Sequence, residues 1–142
     1  MKKILLGAAL AVGFAGAAQA GPLKIDVQDV ENAKGHIVLA VYKQGDFSGS
    51  KDGPPPAYSN KSPAAPGVVS FMVEDVVPGA YTIVVFHDEN DNEDVDTTWI
   101  GLPKEGIGFS NNAKINMGPP AESEMLFEVT EEGAEQAIAL AY

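Results

Sequence analysis

The strongest constraint on this chain is a periodicity it never shows. After residue 20, apolar residues do not recur at helical spacing. They come in short β-branched and aromatic runs cut by Gly and Pro, which is the signature of strands joined by turns. The clearest runs are HIVLAVYK (residues 36–43) and YTIVVFH (81–87). Residues 23–27 (LKIDV) alternate apolar and polar, as a half-buried strand does, and GVVSFMVE (67–74) places Val69, Phe71 and Val73 on one face. Residues 114–117 (KINM), 125–129 (MLFEV) and 137–142 (AIALAY) make seven candidate strands. The expected fold is all-β, a seven-stranded antiparallel immunoglobulin-like or prealbumin-like sandwich. The first two strands are expected to pair as a hairpin. Residues 44–66, with Pro54, Pro55, Pro56, Pro63 and Pro66, read as a long surface loop, because Pro lacks the amide a ladder needs. The acidic and glycine-rich stretch from 88 to 113 is the second long loop.

Residues 1–20 read as a leader rather than as fold. Lys2 and Lys3 precede an apolar stretch, and Ala18-Gln19-Ala20 ends it in a small-x-small cleavage pattern. The mature chain is then residues 21–142, one domain, expected in the periplasm or outside the cell. The leader is too short for a comfortable membrane span, and no later segment is apolar for long enough, so no stable membrane insertion is expected. The terminal Tyr142 shares a face with Ile138 and Leu140, as in a final sandwich strand. A membrane barrel would need at least eight longer strands.

Charge narrows the partners. The formal net charge is −11, there is no arginine, and the leader removes two of the nine lysines but no acid. A nucleic-acid partner is excluded, since that needs a basic surface. An acidic surface suits a cationic partner or a metal, and the expected partner is an envelope protein or a small ligand of unknown identity. With no cysteine, there are neither disulfides nor thiolate metal sites.

The sharpest chemical feature follows the 81–87 run. Six of the nine residues from 88 to 96 are acidic, and oxygen-bearing side chains at Asp88, Asn90, Asn92, Asp94 and Asp96 recur at every second position. Calcium takes six to eight oxygen ligands, and a loop offers them at alternate residues as it curls around the ion. Counted from Asp88, the sixth position holds Glu93 where calcium loops hold Gly, so Glu93 would adopt positive φ at a cost. The twelfth holds Trp99 rather than a bidentate Glu, which leaves Glu89 or Glu105 to complete the shell. The competing reading is a solvated acidic turn, in which Asp and Asn serve as turn formers.

His87 and His36 could serve a transition metal or general-base chemistry, but a strand-end histidine bonded to a loop carbonyl is the commoner case. Residues 97–113 carry the only Trp and are expected to be ordered. With His87 beside it, this stretch supplies the candidate ligand-facing set: His87, Trp99, Lys104, Glu105, Phe109, Ser110, Asn111 and Asn112. Ser110 lacks a nucleophile elbow, and Ser and Asn there are expected to bond the loop backbone.

The string PGAYTIVVFHDENDNEDVDTTWIGLPKEGIGFSNNA (78–113), followed by Gly118-Pro119-Pro120, resembles an exported bacterial family known as domain of unknown function 2141. Its members share a Pro-Gly-x-Tyr turn, an HDEN loop, a Gly-x-Pro-x-Glu-Gly segment and a Gly-Phe-Ser-Asn-Asn block. The resemblance spans essentially the mature chain. It implies a small β-sandwich exported by Gram-negative bacteria, with no established activity. One departure stands out: members read Asp-Glu-Asn-Gly-Asn-Gly, whereas Asp91 and Glu93 occupy the two glycine positions here. The expected function is a non-enzymatic periplasmic or secreted module with a calcium-type loop. The alternative is a metal-dependent hydrolase using His87 and adjacent carboxylates.

Overall fold

A computed structural model describes residues 19–50, 52–93 and 105–142. The strands are β1 (Gly21–Val30), β2 (His36–Lys43), β3 (Tyr58–Pro63), β4 (Gly67–Val76), β5 (Gly79–Asp88), β6 (Ile107–Phe109), β7 (Phe127–Val129) and β8 (Ala134–Ala139). A 3-10 turn, Ser110–Asn112, and a single-turn helix α1, Glu122–Met125, lie between β6 and β7. One sheet has the order β4-β1-β8. The other has β3-β2-β5-β6, with β7 also pairing β5.

Period-two burial builds both layers. Leu23, Ile25 and Val27 of β1, with Val69 and Phe71 of β4 and Ile138 of β8, face Ile37, Leu39 and Val41 of β2 and Tyr81, Ile83 and Val85 of β5. The sandwich is therefore as expected, with eight strands among the described residues rather than seven. Four expectations need correction. β1 and β2 do not form a hairpin: β1 pairs β4 and β8, while β2 pairs β3 and β5. Each presents a continuous apolar face, and the short link at 31–35 carries the chain across the core so that those faces meet. One pair, β1 with β8, is parallel (Leu23↔Ala134 through Gln28↔Ala139), so the sandwich is not wholly antiparallel.

The third correction concerns residues 44–66. They are not all loop, because Tyr58–Pro63 forms β3 on the edge of its sheet. An edge strand bonds on one side only, so it tolerates Pro63 at its end and needs no buried stripe. That is why its sequence, YSNKSP, shows no strand periodicity. Lastly, residues 114–117 form no strand, and Met117 sits fully exposed at positive φ in the turn before Gly118.

Candidate functional site: the acidic end of the sandwich

Alternation along β5 turns Tyr81, Ile83, Val85 and His87 inward, so His87 is the last core-facing position before the loop. Its side chain is 0% exposed. Nε2 lies 2.6 Å from the Lys34 carbonyl and Nδ1 lies 2.8 Å from the Tyr142 hydroxyl, which also accepts the Glu31 N–H at 3.1 Å. The donors fix a consistent chain in the neutral ring. Glu31 N–H donates to Tyr142, Tyr142 O–H donates to Nδ1, and Nε2–H donates to Lys34. Burial pushes the Tyr142 phenol above its ordinary pKa, which keeps it a donor. A Cβ on Gly106 would come within 2.5 Å of the Tyr142 ring, so glycine is what lets that ring close over the strand end. His87 is thus the strand-end histidine bonded to a loop carbonyl, with both nitrogens occupied. His36 pairs across from Asp88, and His87 across from Ile37. The two imidazoles leave opposite faces of one sheet and do not meet.

The acidic loop starts at Asp88, which is 1% exposed. Oδ1 accepts the Asn92 N–H at 3.2 Å and Oδ2 the Glu93 N–H at 2.8 Å, while Asn90 Oδ1 lies 3.3 Å from the same Asn92 amide. Charge-assisted bonds of this kind are the stronger class, and they curl the chain back over the carboxylate. Two residues take left-handed conformations to do so, Asp91 (φ 55) and Glu93 (φ 61). These are the positions where glycines were expected from the resemblance, and Glu93 does carry the positive φ inferred from its place in the loop. Their side chains reach across the sheet, Asp91 to His36 Nδ1 at 2.6 Å and Glu93 to Lys61 at 3.5 Å. Gly35, at φ +64, lets β2 enter beside this loop, since a Cβ there would sit 1.9 Å from the Asp88 carbonyl oxygen.

The carboxylates expected to complete a cation shell are placed as follows. Glu89 accepts from Asn32 Nδ2 at 3.3 Å and sits 4.0 Å from His87 Nδ1. Glu105, itself buried, accepts the Glu89 N–H at 3.2 Å. Asp88, Asn90 and Asn92 lie together in the curl. Asp94, Asp96, Trp99 and Lys104 fall outside the described residues. Among the described residues, no three His, Asp or Glu side chains gather in a metal-holding arrangement. The oxygens of Asp88, Asn90 and Asn92 are hard donors, which suit calcium rather than zinc.

In the Phe109–Asn112 part of the ligand-facing set, Ser110, Asn111 and Asn112 bond backbone atoms as expected, and Asn111 and Asn112 are exposed. Phe109 and Ser110 are buried. Ser110 Oγ accepts the Ile83 N–H at 3.0 Å and donates to the Met125 carbonyl at 2.6 Å. Asn111 bonds Leu126 and Gln136. The Asn112 amide accepts from Ala139 N–H at 2.9 Å and donates to the Ala137 carbonyl at 3.3 Å. The block therefore ties β5, α1 and the edge of β8 together. Tyr142, missed as a site residue in the sequence, is the residue that orients His87. The signal open to sequence reading was its place on the core-facing stripe with Ile138 and Leu140.

A family described as "Uncharacterized protein conserved in bacteria (DUF2141)" matches over residues 25–137. No curated protein and no solved structure matches the chain.

Proposed function

The chain belongs to this uncharacterised bacterial family, and on that premise we propose that it is an exported, non-enzymatic sandwich module whose acidic end takes a divalent cation of the calcium type. The reading places the mature chain in the periplasm or outside the cell, with an envelope protein or a small ligand as partner. The observation that carries it is the curl of residues 88–93. A nearly inaccessible carboxylate gathers two backbone amides, and side-chain oxygens at 88, 90 and 92 follow one another at alternate positions. A hard cation is held by oxygens offered at that spacing. The burial of His87, with both ring nitrogens engaged within the fold, supports a structural imidazole over a base open to substrate. No helix among the described residues is long and apolar enough to cross a membrane.

The test is thermal unfolding with and without calcium. His87→Ala does not separate the structural and catalytic readings, because it opens the core. Asn90→Ala does, because Asn90 is exposed. Calcium is expected to raise the Tm of the parent protein, and Asn90→Ala to lose that rise while keeping the calcium-free Tm. An equal calcium shift in both proteins, or none in the parent, contradicts the reading.

A further inference from the structure

Among the described residues, the sandwich is closed along one side and open along the other. On the closed side, Ile107 and Ala141 exchange two backbone bonds, at 3.0 and 2.9 Å, and the Asn112 amide covers the edge of β8. On the open side lie two edge strands, β3 and β4. They are built differently. β3 carries Lys61 and Pro63, two of the devices by which edge strands resist pairing with another chain. The stretch from 67 to 73 in β4 reads GVVSFMV, with no charge, no proline and strong β-propensity. That composition favours intermolecular strand pairing. Two of the five exposed large hydrophobics among the described residues stand on this strand, Val68 at 56% and Met72 at 51% exposure.

We propose that β4 is a self-association edge. Two copies pair antiparallel through β4 about a twofold axis at Ser70, joining two three-stranded sheets into one of six strands, β8-β1-β4-β4-β1-β8. The occupant is a second copy because the segment is self-complementary in that register. Val68 of one copy stands opposite Met72 of the other on the outer face, and Val69 opposite Phe71 on the inner face. Ser70 meets Ser70 at the axis. The first acids, Glu74 and Asp75, then fall opposite Pro66 and Ala65, so no carboxylates are brought face to face. With a net charge of −11, an apposition through an acidic surface would be repulsive, whereas residues 67–73 carry no charge and the adjacent Asp26, which accepts the Ser70 hydroxyl at 2.6 Å, is itself paired with Lys24 at 3.8 Å.

The paired run is short. Register shifts bracket it, between Gly21 and Leu23 and between Val27 and Val30, and Asp75 turns the strand at φ 59. An interface of this length sits at the small, reversible end of the range. Dimerisation is therefore expected to depend on concentration.

The experiment is sedimentation equilibrium of the purified mature protein over a concentration series, with hydrogen exchange on the same samples. A monomer–dimer equilibrium is expected, with β4 amides becoming protected as the dimer fills. Ser70→Lys puts two like charges directly opposite each other at the axis, which disfavours a cross-strand pair. Within one copy, the new lysine lies beside Asp26, the cross-strand partner of Ser70. That variant is expected to keep its thermal unfolding and to weaken dimerisation roughly tenfold, a change of about 1.4 kcal/mol. Lys61→Ser on β3 is expected to leave the dimer unchanged. A protein that stays monomeric throughout overturns the proposal. So does a dimer whose β4 amides gain no protection, or one that Ser70→Lys leaves intact.

Discussion

Thr82 shows how far a single polar atom can stand from its surroundings. It sits on β5, its side chain is fully buried, and its hydroxyl has no hydrogen-bond partner among the described residues. A buried orphan hydroxyl costs about 1–3 kcal/mol in lost hydration. Thr82→Val keeps the shape and removes the polar atom, so it should stabilise the protein by about 1 kcal/mol in urea unfolding. A loss of stability would mean the hydroxyl has a partner. Glu93 offers a second residue-scale prediction. A non-glycine residue in the left-handed region costs roughly 1–2 kcal/mol, and its ion pair with Lys61 is exposed on both sides, worth about 0–1 kcal/mol. Glu93→Gly is expected to raise stability by about 0.5–1 kcal/mol, read from the shift in denaturation midpoint. An unchanged or lowered midpoint would show that the Lys61 contact outweighs the backbone strain.

At the scale of elements, the legible parts of the fold were those written as local period-two burial. Leu23, Ile25 and Val27 announce a strand because their alternation is a property of the segment itself. Residues 36–43 announce one only as a continuous β-branched run, and that Ile37, Leu39 and Val41 form its buried face emerges in the structure. Their partners were not legible, because pairing is decided by which apolar faces meet across the core. The parallel β1–β8 pair lies over a hundred residues apart in sequence. β3 was missed for a related reason: exposed on its faces and bonded on one edge, it leaves no apolar trace. The acidic loop was legible as far as the positive φ at Glu93, which follows from its place in the curl. The role of Asn112 was not, because a side-chain amide that substitutes for a neighbouring strand looks in sequence like any loop Asn. Its two bonds to β8 carry a prediction. Asn112→Ala leaves the Ala139 amide without that acceptor and should cost about 1–2 kcal/mol, with faster hydrogen exchange at Ala139. Exchange unchanged there would contradict the role.

Across the whole molecule, the tyrosines make stability fall at alkaline pH. Burial is the chief cause that pushes Tyr81 from the ordinary 10.0 up to about 12, with Tyr58 beside it adding to the rise; Tyr42 and Tyr142 are raised as well, again chiefly by burial. The folded state therefore holds these protons more tightly than the unfolded chain does. Their contribution is fully present below pH 10.0 and is lost as pH rises from 10.0 towards about 12. Unfolding midpoints should fall across that window, and Tyr81→Phe should flatten the fall. An equally steep fall in Tyr81→Phe would assign the loss to other groups. At the acidic end, the proposed cation would take its oxygens from Asp88, Asn90 and Asn92, in a loop whose backbone curls over the Asp88 carboxylate. The most direct test is calorimetric titration of the metal-free protein, residues 21–142, with calcium. Saturable heat at a stoichiometry of one ion per chain is expected, lost in Asn90→Ala. No heat at millimolar calcium would contradict the proposed cation site.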